Sequence, residues 1–176
     1  MKRRSLLAVP VLWAGMKTGL RAGEPAASRP PARTRSPALE IGPVDGTLVR
    51  ISELTGKVVL LDFMTTVCPT CKVASAGIQK LYEEFGGQGF RPVAIALNAG
   101  TPAPLAEYRR EFGLTFPLGA VSREHVLAYL DHPADKPLYV PTIVLLDRRG
   151  RICSVEVGWR GEEALRAAVA KLLSER

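Results

Sequence analysis

The sequence is short of the residues on which several classes of protein depend. It has three cysteines and two histidines in 176 residues. The only close cysteine pair is Cys68 and Cys71, so a four-cysteine zinc site has no second pair to complete it. No cysteine precedes Cys68, which excludes the lipid-modified cysteine of a bacterial lipoprotein. The apolar stretch near the N-terminus, residues 5–16, falls well short of the roughly 20 residues that a membrane-spanning helix needs. No internal repeat is apparent. The sequence points to no cofactor and no metal site.

The positive charge that is present sits at one end. Residues 1–37 carry eight Lys and Arg side chains against Glu24 alone, and so account for the whole formal net charge of +7. Residues 38–176 are charge-balanced, with no basic face to argue for nucleic acid. Lys2-Arg3-Arg4 followed by the apolar residues 5–16 has the layout of a signal peptide. Arg3-Arg4-Ser5-Leu6-Leu7 resembles a twin-arginine export signal, and a Sec signal fits almost as well. Lys17 is awkward for either, and Ala22 or Ala26-Ala27 offer cleavage sites. Residues 23–37 hold four prolines and no large apolar side chain. The chain therefore divides into a signal peptide or membrane-proximal leader (1–22), a disordered Pro/Arg-rich linker (23–38) and one domain (39–176).

Within the domain, strand and helix patterns alternate. Leu39–Ile41 and Thr47–Ile51 read as short strands around an Asp45-Gly46 turn. Val58–Met64 and Arg91–Leu97 read as buried strands, and Thr142–Leu146 and Arg151–Val157 as a pair joined by the Asp147–Gly150 turn. Helices are predicted over 69–86, 103–112, 124–130 and 162–173. Such alternation implies an α/β sandwich, and the tight turn at 147–150 makes its sheet mixed.

The chemistry lies where the first buried strand gives way to the first helix. Residues 68–71 read Cys-Pro-Thr-Cys. Pro69 suits the first turn of a helix, because its φ is preset and its missing N–H has no partner there. Cys68 is then placed at a helix N-terminus, where unpaired N–H groups and the helix dipole favour an anion. A thiol held there ionises more easily, and the thiolate is the nucleophile. Asp62 lies six residues earlier inside an otherwise apolar strand. A carboxyl buried there is costly to ionise and should keep a raised pKa.

The run Val59 to Cys71 resembles the active-site strand and turn of the thioredoxin superfamily. More specifically, residues 39–176 are similar to the exported TlpA-like thiol–disulfide oxidoreductases, or redoxins. The leader, the short strands before the active-site strand, and the segment 98–130 between the core strands carry that similarity. The resemblance implies a thioredoxin-like three-layer sandwich with an extra N-terminal strand pair and a central helical insertion. It implies that Cys68 is the nucleophile, Cys71 the resolving thiol and Asp62 its proton carrier, with Pro69 and Thr70 tuning the potential. Val140-Pro141-Thr142 corresponds to the family's cis-proline loop, so a cis bond at Pro141 is expected, facing the disulfide and binding the substrate chain. The implied partners are a disulfide-bearing protein substrate and a membrane thiol-delivery reductant. The implied protein is an exported, periplasmic or extracytoplasmic monomer that reduces protein disulfides.

The chain departs from that pattern at Met64 and Val67, where most of the family has tryptophan. Two other readings share features of the sequence. Sco-type copper proteins use two cysteines and a distant histidine, and soft thiolates suit Cu(I). They space their cysteines by three residues, where this chain has two, and His125 and His132 are its only histidines. Thr65-x-x-Cys68 echoes a peroxiredoxin signature, but Leu61 stands where its proline belongs. Cys153 in a strand pattern reads as a small buried hydrophobe. Tyr139 beside the loop reads equally as packing or partner contact, and Trp159 as packing.

Overall fold

The computed structural model describes residues 34–43, 48–98 and 102–175. The leader, the linker as far as residue 33 and the Asp45-Gly46 turn lie outside the described residues. Strands are β1 (Thr34–Arg35), β2 (Glu40–Pro43), β3 (Val49–Arg50), β4 (Val58–Met64), β5 (Phe90–Ala96), β6 (Leu118–Ala120), β7 (Thr142–Leu146) and β8 (Arg151–Val157). Helices are α1 (Pro69–Phe85), α2 (Pro102–Glu111), α3 (Arg123–Tyr129) and α4 (Glu162–Ser174).

The strands form one mixed sheet in the order β1-β8-β7-β4-β5-β6-β2-β3. β4 is central and buried along its whole length, as its unbroken apolar run requires for a strand covered on both faces. It runs parallel to β5 and antiparallel to β7. Alternation along β4 divides the interior into two layers. Val58, Leu60 and Met64 join residues of α1, α2 and α4 on one face. Val59, Leu61 and Phe63 join Val126 and Tyr129 of α3 on the other. Asp62 falls in phase with Leu60 and Met64, on the α1 side.

Four features differ from the sequence pattern. β1 lies inside the stretch read as linker, with Thr34 opposite Ile152 and Arg35 opposite Arg151. It adds to the edge of β8 by main-chain pairing, which places little demand on side chains, so no apolar pattern announces it. Val49–Arg50 pair with β2, but Ile51 leaves the strand to open a 3-10 turn, Ile51–Leu54. The segment 98–130 is not wholly helical: β6 pairs with both β5 and β2. At three residues around a glycine, β6 is too short to show a period. Finally, α1 ends at Phe85 and continues as a 3-10 turn, Gly86–Gln88, that leads into β5.

Candidate active site

The site is built where β4 runs into α1. After Met64 the chain turns through Thr65–Val67, and the Cys68 N–H closes the turn on the Thr65 carbonyl at 3.3 Å. Asn98 braces the turn from the end of β5, accepting from the Thr66 N–H at 3.1 Å and donating to its hydroxyl at 2.9 Å. Cys68 is the N-cap of α1 in extended conformation, with Pro69 directly after it. Its Sγ accepts the Cys71 N–H at 3.2 Å, so sulfur does the work that a Ser or Asp oxygen does at most helix starts. Both thiols are free; Cys68 is half-buried and Cys71 fully buried. Pro69 and Thr70 are exposed on the turn between them.

The loop before β7 closes the site from the opposite side. The Val140–Pro141 peptide bond is cis. The Val140 carbonyl oxygen lies 3.9 Å from the Cys68 Sγ, which brings together residues far apart in sequence. The Thr142 hydroxyl donates to the Tyr139 carbonyl at 2.7 Å, and the Gly158 N–H donates to the Pro141 carbonyl at 2.8 Å. Pro141 and Thr142 are buried, while Tyr139 is 64% exposed. Val67, in the turn directly before Cys68, is 77% exposed.

Asp62 lies under this arrangement with no exposed surface. Neither carboxyl oxygen has a hydrogen-bond partner among the described residues. Burial therefore penalises its charge without compensation and pushes its pKa up to about 7. Burial also pushes the Cys71 thiol up to about 12; its link to Cys68 adds to the rise, and a backbone hydrogen bond with Thr65 opposes it. The charges of Cys68 and Asp62 act on Cys71 in the same upward direction. A thiol so reluctant to ionise must lose its proton to an acceptor when it reacts.

Residues 25–172 match the Redoxin family model. The chain belongs to the Redoxin family. It is similar to the thiol-disulfide oxidoreductase ResA of Halalkalibacterium halodurans, 32% identical over 121 residues, or 68% of this chain and 65% of that protein. It is similar also to ResA of Oceanobacillus iheyensis, 39% identical over 75 residues, or 43% of this chain and 38% of that protein. The matches thus span less than two thirds of either relative's own length. A solved thiol:disulfide interchange protein of the thioredoxin family from Chlorobium tepidum superposes with a TM-score of 0.72 at 25% identity. The superposition covers 85% of this chain and all of that one. The fold is thioredoxin-like.

Other residues of this redoxin singled out by sequence lie apart from the site. His125 is exposed on α3, with its Nδ1 2.6 Å from the Ser122 hydroxyl, and the His132 Nδ1 lies 2.9 Å from the Pro133 carbonyl. Both belong to the α3 side of the sheet, whereas Cys71 is in the other layer. Among the described residues, no three His, Cys, Asp or Glu side chains gather as a metal site would require. Cys153 is half-buried on β8 beside the α1 layer, its thiol donating to the Arg151 carbonyl at 3.5 Å. Trp159 packs against Gly77 of α1, where a Cβ would come within 2.7 Å of its ring. Of the two tryptophan positions, Met64 is buried in the core and Val67 projects into solvent.

Two buried hydroxyls in the Cys71 layer are barely signalled by the sequence. Ser75, four residues after Cys71 on α1, is hydrogen-bonded at 3.0 Å to Tyr108 of α2. A serine one helical turn beyond the second cysteine is the only signal that points to the pair.

Proposed function

We propose that this redoxin is a thiol–disulfide oxidoreductase that reduces disulfides of partner proteins. One observation carries the reading: an accessible sulfur at a helix N-cap stands over a buried second thiol, with the Val140 carbonyl facing it at 3.9 Å. The Cys68 thiolate attacks one sulfur of the partner's disulfide, and the electron pair of the broken S–S bond leaves with the other sulfur, which takes up a proton. Cys71 then gives its proton to the Asp62 carboxylate and attacks the Cys68 sulfur. The mixed disulfide breaks, the partner leaves as a dithiol and Cys68–Cys71 is oxidised by two electrons. A membrane thiol-delivery protein returns those electrons.

The partner chain lies along Val140, Pro141 and Thr142, beside the exposed apolar side chains of Val67 and Tyr139. Pro69 and Thr70, exposed within the redox turn, set how readily the pair gives up electrons. The acting species is a monomer exported under the direction of residues 1–22, and the charged start followed by an apolar stretch supports that route. No described helix is long and apolar enough to cross a membrane.

The test is disulfide reduction by the reduced protein. Wild type should reduce a protein disulfide stoichiometrically, and Cys68→Ser should not. Full activity in Cys68→Ser sinks the reading. Fusion of residues 1–38 to a reporter active only outside the cytoplasm tests export separately.

A further inference from the structure

The buried hydroxyl pair of Tyr108 and Ser75 has no part in the mechanism above, yet it lies in the same layer as the groups that exchange the proton. Ser75 has no exposed surface and Tyr108 only 2%. Ser75 stands one helical turn beyond Cys71, on the same face of α1. Tyr108 shares the apolar cluster of Met64 and Cys71, and Asp62 projects from β4 towards the same side.

Proton accounting gives the pair its meaning. Two hydroxyls carry two protons, and their mutual hydrogen bond uses one. The other has no acceptor among the described residues, and on the same side of β4 the two oxygens of Asp62 have no donor among them. A buried, unused donor in the layer where a negative charge passes from Asp62 to Cys71 is placed to stabilise that charge on either group.

We propose that Tyr108, held in place by Ser75, is a positioning residue that supports negative charge on the Asp62–Cys71 couple while the mixed disulfide is resolved. The inference rests on the thiol–disulfide reading. The Tyr108 hydroxyl keeps its proton throughout: burial pushes its pKa up to about 12, the Ser75 bond opposes the rise, and the charges of Asp62, Cys71 and Cys68 add to it. The titratable groups on this side of the sheet are Asp62 from β4, and Cys68 and Cys71 from the start of α1. Above them Lys72 is paired with Glu111 at 3.5 Å and lies over the Phe112 ring. Arg109 on the same helix donates to the Phe116 carbonyl at 3.5 Å. The neighbouring β5 and β6 residues in this layer, Ala94, Ala96 and Leu118, carry no charge.

The step concerned transfers one proton from the Cys71 thiol to Asp62, after which the Cys71 sulfur bonds to Cys68 and the partner's sulfur leaves as a thiolate. Removing the phenol proton makes both anionic states harder to reach. Tyr108→Phe in the full chain should lower the rate of mixed-disulfide resolution at pH 7 about tenfold, because the buried hydroxyl dipole that favours the charge is lost. The rising limb of rate against pH, set by Asp62 near 7, should move upward by about one pH unit. Ser75→Ala should move it the same way and less, Ser75→Thr should restore it, and the Tyr108→Phe/Ser75→Ala double variant should add little. Titration of the Asp62 carboxyl by carbon NMR should show the same upward displacement without any substrate. Where Tyr108→Phe folds poorly, Ser75→Ala and the NMR titration carry the test. A Tyr108→Phe protein with unchanged limb and unchanged Asp62 titration overturns the inference. A wild-type protein that resolves no mixed disulfide overturns the function instead, and the two failures are distinguishable.

Discussion

The N–H of Cys71 donates to the Sγ of Cys68 at 3.2 Å, so the attacking sulfur also caps the helix that carries its resolving partner. Redox chemistry and helix stability thus share one atom. Substitutions at the two cysteines should separate them. Cys71→Ser keeps the N–H and the cap but removes the resolving thiol, so mixed disulfides with a protein substrate should persist and appear as a higher band on non-reducing gels. Cys68→Ser exchanges a sulfur cap for a better oxygen one. It should match or exceed wild-type stability by about 0.5 kcal/mol while losing all activity, and Cys68→Ala should cost about 1 kcal/mol. Chemical unfolding of the reduced proteins measures both. Equal stability of the Ser and Ala variants would show that the cap contributes nothing.

Asp62 makes stability fall as pH rises. Its carboxyl titrates near 7 in the folded protein against an ordinary 3.8, because burial disfavours the charge. Below pH 4 it is protonated in both states and contributes no difference. Between pH 4 and 7 only the unfolded chain releases the proton, and above 7 the penalty is complete, about 4 kcal/mol. Asp62→Asn should remove that slope, so the difference in unfolding free energy between the two proteins should grow from pH 5 to pH 8. The same variant should resolve mixed disulfides slowly at every pH, for want of a base. A difference in stability that stays flat over this range would show that Asp62 does not titrate near neutrality.

Much of this site is legible in sequence because local rules fix it. A seven-residue apolar run with one acid makes a covered strand with a buried carboxyl, and Pro69 puts Cys68 at a helix start. The Asp147–Gly150 turn sets the last two strands antiparallel, and they form over the expected residues. What escapes is tertiary. Tyr108 meets Ser75 only because α2 packs on α1, and 33 positions of chain separate them. β1 adds to an edge through its main chain, which an apolar pattern does not record.

Asp147 has the opposite pH behaviour to Asp62. Burial alone would push its pKa up, but the Arg151 guanidinium and the N–H groups of Arg151 and Arg149 hold it below the usual carboxylate range. The contacts are short: 2.9 Å from the Arg149 N–H, 3.0 Å from the Arg151 N–H and 2.7 Å from the Arg151 guanidinium. A folded-state pKa below the unfolded one gives stability that is present above the ordinary value and is lost as pH falls through the folded one. Asp147→Ala should therefore cost about 2–3 kcal/mol at pH 7 and clearly less at pH 3. Urea unfolding at the two values checks it. An equal loss at both would assign the effect to packing and not to charge.

Gly119 holds the outer strands of the sheet together by having no side chain. It sits in β6 opposite Pro43, with β5 on the other side. A Cβ there would collide with the Gly42 carbonyl oxygen and stand 2.6 Å from Ile41 Cγ2. The obstacle is backbone, which cannot rotate aside as a side chain can, and Ile41 is itself core with 1% exposure. Gly119→Ala must therefore push β2 outward, taking β3 with it and opening the layer that holds Leu39, Ile41 and Ile51. The expected cost is about 2–4 kcal/mol, in the range of overpacking and lost ladder hydrogen bonds. It should be local before it is global. Amide exchange should accelerate first along β2 and at Ala120, while β4 and β7 keep the protection of the wild type. Uniform acceleration across the sheet, or none, would show that β2 does not depend on this close approach.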